Sequence, residues 1–350
     1  MKKFKSFTEE KDIPYKLVII QNTNEELSDV KDKDKFKSPE MDKAGDKAGL
    51  ETVRLDFTGL YKSEKNGKIY LNSFDFDDTG KVELPNHKGE LKIKAQPPVE
   101  IDPENTLIMP RGLGTFGMTN TQTWTDIVQE LSLNGCLIIP SLECWYNCSS
   151  KYLTDILCRH HGLQTPKTIP LAYSDDSERV MKLFDDKFPI VLKTSIGSQT
   201  GVGVVIVESM RSLKTTVQML KLYDSKIPLL LQEFIKTDYD VRVVVLDGQV
   251  MGAMKREVIQ DGDFRSNVSL GADSGSFELT ELEEKDSITA AAAVKGRLTG
   301  VDFIPAKNRE KEQPYILEVN SMPGFGGIEK IEKGMTQKIL EYFKDRDNWK

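Results

Sequence analysis

The segment Pro189-Ile190-Val191-Leu192-Lys193 constrains this chain most, because an apolar strand there ends on an amine. A lysine at the end of a buried strand is costly unless a negative partner meets it. The next residues, Thr194 to Gly203, are rich in Gly, Ser and Thr, and Val204-Val205-Ile206-Val207 reads as a second strand. The glycine loop therefore joins strand to strand. That excludes a P-loop, which needs Gly-Lys-Ser/Thr at a helix start, and the dinucleotide fingerprint, which needs a helix directly after the turn. Glycines such as Gly197, Gly201 and Gly203 let backbone amides close around phosphate oxygens, and Ser198 and Thr200 add hydroxyl donors. A hairpin tip would use the same glycines. Lys193 is what raises phosphate binding to an equal alternative.

Two further constellations lie downstream. Residues two apart on a strand face the same way, so Glu318 and Asn320 share a face in Tyr315–Asn320 while Val319 points opposite. With Asp302 on a neighbouring short strand they form an oxygen-only set suited to magnesium, although an exposed polar strand face has the same composition. Apolar Tyr315-Ile316-Leu317 before, and Pro323-Gly324-Phe325-Gly326-Gly327 after, favour a buried strand opening into a close-approach loop. Asp240, Arg242, Arg256 and Gly262–Asn267 then concentrate guanidinium forks that fit phosphate or carboxylate oxygens, where a single arginine would read as a surface ion pair.

Around these, the chain divides. Lys16–Ile20 reads as a buried strand, residues 25–47 as a charged solvated insertion, and Thr52–Phe57, Ile69–Phe76 and Leu107–Arg111 as strands. A helix over Thr121–Leu133 leads to a strand at Cys136–Ile139, so strand–helix alternation predicts a small parallel α/β domain over 1–141. A helix with Asn147 or Ser149 as N-cap follows, then a helix from Ser209 to Leu222, strands at Leu229–Ile235, and a hairpin turning at Asp247-Gly248. An alanine-rich helix over Leu279–Leu298 precedes the last two strands. The 350 residues carry a net charge of −7, which does not favour nucleic acid, and no apolar run suggests a membrane span or signal core. A cytoplasmic protein is expected. Cys136, Cys144, Cys148 and Cys158, with His160 and His161 close by, match no paired zinc spacing, so reduced, partly buried thiols are expected.

Taken in order, Lys193 with its glycine loop, Gln232-Glu233-Phe234-Ile235, Asp240-Val241-Arg242, Gly262–Asn267 and Glu318-Val319-Asn320-Ser321-Met322-Pro323-Gly324 resemble the ATP-grasp superfamily. The resemblance is closest to RimK-type ribosomal-protein glutamate ligases and covers residues 144 to 332; Met109-Pro110-Arg111-Gly112 is similar to the end of that family's N-terminal domain. It implies an α+β ATP-grasp fold: a pre-ATP-grasp α/β domain (1–141), a central or lid subdomain (142–229) and a C-terminal catalytic subdomain (230–350). It assigns Lys193 and Lys151 to ATP phosphates, with Ser198, Gly201 and Gly203 in the phosphate loop, Glu233 and Phe234 to the adenine hinge, and Asp240 to the ribose. Arg265, Ser266 and Asn267 would lie against the nucleotide, Asp302, Glu318 and Asn320 would ligate magnesium or manganese, and Arg256 would face the reacting centre. Ser150 stands where the family has an acidic residue before Lys151, and the run from Arg256 to Gly262 is one residue longer than the family's pattern.

The implied activity is ATP- and magnesium-dependent ligation through an acyl phosphate, adding an amino acid, glutamate first, to an acceptor carboxylate. The acceptor could be a protein C-terminus, a peptide or a small metabolite, and a homo-oligomer stays open. Magnesium and Lys193 would neutralise the phosphoryl group, Arg256 the oxyanion, and a lid over about 155–229 would exclude water. The rivals are a kinase on the same fold and an ATP-binding regulator without turnover.

Overall fold

The computed structural model describes residues 15–21, 39–73, 96–111, 121–171, 176–195, 203–223, 225–257, 274–324, 329 and 332–349. These form two compact units. The first holds residues up to Pro110, Asp126–Ile138 and Gln337–Lys350; the second holds Arg111–Thr125 and Ile139–Thr336.

The first unit opens with β1 (Lys16–Gln21), whose Leu17–Ile20 core is fully buried, then α1 (Pro39–Lys47) and β2 (Glu51–Asp56). Next come β3 (Tyr61–Lys65), β4 (Lys68–Asn72), β5 (Val99–Ile101), β6 (Thr106–Pro110), α2 (Thr121–Leu133) and β7 (Leu137–Ile138). Strands in the order β2-β1-β6-β7 are parallel throughout, as the strand–helix alternation predicts. A continuous apolar strand such as β1 needs cover on both faces, which a parallel sheet supplies. Two expectations change here. The end of the charged insertion is the helix α1, which buries Met41 and Ala44 three residues apart on one face; residues 22–38 lie outside the described residues. β4 overlaps the strand expected at Ile69–Phe76, but its antiparallel partners β3 and β5 went unread; the sheet turns at Asn66-Gly67 with φ of 55° and 75°. Its β3 is mostly exposed and polar, so it has no hydrophobic period to betray it.

Besides the first turn of α2, the second unit holds α3 (Leu142–Ser149) and α4 (Lys151–His160). Ser150 separates them in an extended conformation and caps α4 by accepting from the Leu153 amide, which replaces the expected Asn147 or Ser149 cap. Then come β8 (Thr168–Leu171), α5 (Ser177–Lys182), β9 (Ile190–Thr194), β10 (Val204–Val207), α6 (Met210–Tyr223) and β11 (Leu229–Glu233). They build an antiparallel sheet of order β10-β9-β11-β8, with a core of Leu192, Leu213, Val217 and Leu231 beneath the two helices. The rest is β12 (Tyr239–Leu246), β13 (Gln249–Glu257), β14 (Ser274–Ser276), α7 (Glu281–Ala293), β15 (Leu298–Ile304) and β16 (Tyr315–Asn320). Their sheet runs β14-β13-β12-β15-β16. The alanine-rich helix is shorter than its composition suggests. A Thr280/Glu283 capping box starts it, Lys295 at φ 60° stops it, and Leu298 opens β15 instead. The chain closes with α8 (Met335–Lys344) and a 3-10 turn over Arg346–Trp349.

The faces of this five-stranded sheet position the site. Val241, Val243, Val245, Val301, Phe303 and Val319 alternate onto one face and share a core with Ala290, Ala291, Val294 and Cys158 of α7 and α4. The residues between them, including Asp240, Arg242, Asp302 and Glu318, must therefore occupy the other face. A bulge helps: Asp302 pairs with Glu318 but Phe303 pairs with Ile316, so Leu317 is the extra residue. Ile316 can then enter the core while Glu318 stays beside Asp302.

Candidate active site

Register alone puts Arg242 opposite Asp302 and Asp302 opposite Glu318, in one row across three strands. Arg242 grips Asp302 with two parallel bonds, Nε to Oδ1 at 2.7 Å and Nη2 to Oδ2 at 2.6 Å. The adjacent row pairs Asp240 with Arg256, whose Nε donates to Asp240 Oδ1 at 2.6 Å. Nη2 of Arg256 also lies 3.1 Å from Asp302 Oδ2, which joins the rows. Asp302 and Arg256 are only 3% and 4% exposed, so these bonds work with little competition from water. Burial alone would raise the Asp302 carboxyl, but Arg242 and Arg256 outweigh it and hold the pKa at about 2. Burial likewise opposes the charge on Arg256, yet Asp302 and Asp240 push its pKa upward.

Glu318 adjoins this locked pair as a further partner of Asp302. Its side chain is 34% exposed, with Arg242 Nη2 at 3.9 Å, and Asn320 Nδ2 donates to its Oε1 at 3.1 Å. With the Asn320 nitrogen used in that way, the amide oxygen is the atom left for a cation. Asp302, Glu318 and Asn320 are hard oxygen donors on two paired strands, and that chemistry fits magnesium. Gly300, opposite Asn320, is tightly enclosed: an added Cβ would lie 3.0 Å from Pro323 Cβ.

Lys193 is the fourth residue of β9, as its strand-end position predicts. Burial drives its amine down to about 8, Glu318 draws it up, and Lys151 presses it down further. Two predicted phosphate lysines are thus close enough to repel, and one of them senses the predicted metal carboxylate. The backbone accounts for the meeting. The Lys151 amide donates to Ser195 O at 3.0 Å, and the Ser150 and Ser195 hydroxyls lie 3.4 Å apart. Ser150 thus ties the start of α4 to the end of β9, a link that sequence reading missed. Gly203 adopts φ 92° and accepts from the Thr194 amide; a Cβ there would lie 2.7 Å from Thr194 Oγ1. Ser198, Gly201, Arg265, Ser266 and Asn267 lie outside the described residues.

Glu233 closes β11 and is exposed, with Phe234 next; the Glu233 amide donates to Lys167 O at 2.9 Å. Beneath them the buried Gln232 donates through Nε2 to Thr168 Oγ1 at 2.8 Å. Asp155, also unread from sequence, accepts from Thr165 Oγ1 at 2.6 Å and from Arg159. Its only sequence signal was the four-residue spacing from Lys151 and to Arg159. Burial pushes the thiols of Cys136 and Cys158 up to about 12. Contact with Cys144, then burial, raises that of Cys148 as well, so these cysteines stay protonated. Among the described residues, no helix is long and apolar enough to cross a membrane.

Comparison with known proteins follows the same lines. The RimK-like ATP-grasp domain model matches residues 148–343. A probable alpha-L-glutamate ligase of Coxiella burnetii is 30% identical over 238 residues, 68% of this chain and 75% of that protein. Probable alpha-L-glutamate ligase 1 of Pseudoalteromonas atlantica is 28% identical over 266 residues, 76% of this chain and 83% of that protein. Among solved structures, the ATP-grasp ligase PsnB complexed with minimal precursor aligns with a TM-score of 0.63 at 18% identity, covering 95% of this chain and 100% of that one. PsnB complexed with minimal precursor, Mg and ADP aligns at 0.60 and 16%, covering 93% and 97%. Likeness at such identities speaks for the fold, and the sequence matches carry the family. This chain belongs to the RimK-like ATP-grasp family.

Proposed function

We propose that this chain uses ATP to join glutamate to an acceptor carboxylate, with Lys193, Arg256, Asp302, Glu318 and Asn320 at the centre of the reaction. Membership of the family makes it an ATP-dependent carboxylate–amine ligase, and favours ligation over phosphorylation alone or regulatory binding. The observation that carries the residue roles is the convergence of two lysines and one carboxylate face. The Lys151 amide bonds Ser195 O, two residues past Lys193, at 3.0 Å, and the Lys193 amine is within electrostatic reach of Glu318, so the proposed phosphate-binding amines and cation-binding oxygens share one unit.

The roles follow from that arrangement. Lys193 and Lys151 hold phosphate oxygens, and Gly203 lets the loop strand turn close to Thr194. Glu233 and Phe234, anchored by the Lys167 carbonyl and the Gln232–Thr168 bond, form the adenine end. Asp302, Glu318 and Asn320 would hold magnesium, or manganese in its place, and the ion would supply charge neutralisation at the transferring phosphoryl group. Arg256 keeps one guanidinium face on Asp240 and Asp302 and is held rigidly enough to stabilise an oxyanion. Asp240, held in place by Arg256, is the carboxylate assigned to the ribose. The division into 1–141, 142–229 and 230–350, with a closing lid over about 155–229, belongs to this reading.

Glutamate as the amine is supported by the relatives' names as alpha-L-glutamate ligases. PsnB's precursor complexes support a peptide as the acceptor class, with the protein C-terminus as a special case. The test is a panel of amino acids and peptide acceptors with ATP and magnesium, read by phosphate release and product mass. A mass gain of one glutamate residue on an acceptor is expected. Stimulation by another amino acid, with none from glutamate, would reject glutamate and leave the fold and family untouched.

A further inference from the structure

Asp302 belongs to the proposed metal set, yet its oxygens are already engaged. Arg242 takes Oδ1 through Nε and Oδ2 through Nη2, and Arg256 Nη2 sits 3.1 Å from the same Oδ2. A carboxylate offers about four acceptor positions; the arginines take three of them and Glu318 is a further partner, which leaves little for a metal ion. Arg242 also faces the second carboxylate, with Nη2 3.9 Å from Glu318 Oε1. Three carboxylates, Asp240, Asp302 and Glu318, meet two guanidinium groups, Arg242 and Arg256, and Glu318 is also within electrostatic reach of the Lys193 amine, so these carboxylates are already largely compensated. A hard dication such as magnesium gives up its water reluctantly and is usually held by one or two carboxylates together with phosphate oxygens.

We infer that Arg242 is a positioning residue that acts as a resident counter-cation, so that Asp302 and Glu318 retain a divalent metal ion only together with a bound triphosphate. The inference rests on reading Asp302, Glu318 and Asn320 as the metal set. The arginine keeps the buried Asp302 compensated when no nucleotide is present, which an unpaired carboxylate at 3% exposure could not tolerate. Phosphate oxygens then supply the negative charge and the ligands that the arginines have withdrawn. Arg242 also spans the row, which fixes the side chain of Asp302 for the ion that arrives with the nucleotide.

The test uses manganese(II) as the probe on the full-length chain, with free ion followed by electron paramagnetic resonance. Wild type is expected to bind manganese alone at least tenfold more weakly than with a non-hydrolysable ATP analogue. Arg242→Gln should bind manganese alone at least tenfold more tightly than wild type, and adding Glu318→Gln should remove that gain. Arg242→Lys keeps the charge but loses the two-pronged grip, and should fall between. If circular dichroism shows Arg242→Gln unfolded, Arg242→Lys decides alone. Wild type binding manganese equally well with and without the analogue, in a Glu318-dependent way, would overturn the role of Arg242 and leave the metal set standing. Unchanged or weaker manganese binding in the folded Arg242 variants would also overturn it. If Glu318→Gln has no effect on manganese held with the analogue, the metal set itself fails, and this inference with it.

Discussion

Glu318 and Asp302 sit opposite each other on paired strands, yet their surroundings give them different work. Asp302 is clamped by two arginines, whereas Glu318 is a third exposed and bonded by Asn320. Glu318→Gln keeps the shape and removes the charge. It is expected to lower turnover by more than a hundredfold with an unchanged melting temperature, which steady-state kinetics and calorimetry would check. Near-normal magnesium-dependent turnover would remove Glu318 from the metal set. Lys193 makes a second prediction through its pKa of about 8, below the ordinary lysine value because of burial. The charged amine binds phosphate and the neutral one does not, so ATP affinity should fall as pH rises through 8. Between pH 7 and pH 9 the dissociation constant of the nucleotide should rise about tenfold. Lys193→Arg, charged throughout, should flatten that profile, and equal slopes in the two proteins would contradict the role. Arg256 is a different case, because it is held between two buried carboxylates. Arg256→Ala should cost about 3 kcal/mol of stability or more, read by chemical denaturation, since it strands buried charge. A rate test of Arg256 therefore needs Arg256→Lys, which keeps the charge.

At the scale of elements, β10 illustrates what a local rule can and cannot foresee. Lys193 was legible as a strand end because an apolar run led to it, but the need for glycine at position 203 is geometric. Its φ of 92° and its closeness to Thr194 leave no place for a side chain. Gly203→Ala should therefore distort the β9–β10 turn and weaken ATP binding at least several-fold, with the β12–β16 sheet intact. Titration of the nucleotide on a folded variant would check this, and unchanged affinity would detach the turn from the phosphates. Elsewhere, strong periodicity read well: α2 spans Thr121–Leu133, and the Asp247-Gly248 turn joins β12 to β13 with φ of 42° and 77°. What escaped reading lacked such periodicity. β3 is mostly polar, α1 hides two buried side chains among charges, and α3 and α4 are split by one extended serine. Composition misled once, since the alanines of α7 run on toward Leu298 while the backbone stops at Ala293. The site was legible as separate strand-end residues. Its ion-pair rows were not, because the register of β12, β15 and β16, and the bulge at Leu317, arise from tertiary pairing.

For the whole molecule, the chemistry should be decided by which phosphorus the acceptor meets. Every described candidate residue lies in the second unit, between Lys151 and Asn320. In the proposed reading, the hinge at Glu233 and Phe234 would mark the adenine end, and the lysines with the carboxylate row the phosphate end. An acceptor carboxylate that reacts beside Glu318 attacks the terminal phosphorus, giving an acyl phosphate and ADP. The amine then displaces orthophosphate, which leaves carrying one oxygen from the acceptor carboxylate. Acceptor labelled with oxygen-18 in its carboxylate should therefore give ADP and singly labelled orthophosphate in step with amide formation, in a single turnover read by chromatography and mass spectrometry. Label appearing in AMP would mean attack at the α-phosphorus, and would place the reacting carboxylate at the other end of the nucleotide from Asp302 and Glu318. ADP and labelled phosphate formed without amide would leave the phosphoryl step in place and reject the supplied amino acid as the amine. ADP with unlabelled phosphate would instead identify water as the nucleophile, which is the outcome expected when the site has not closed around its acceptor.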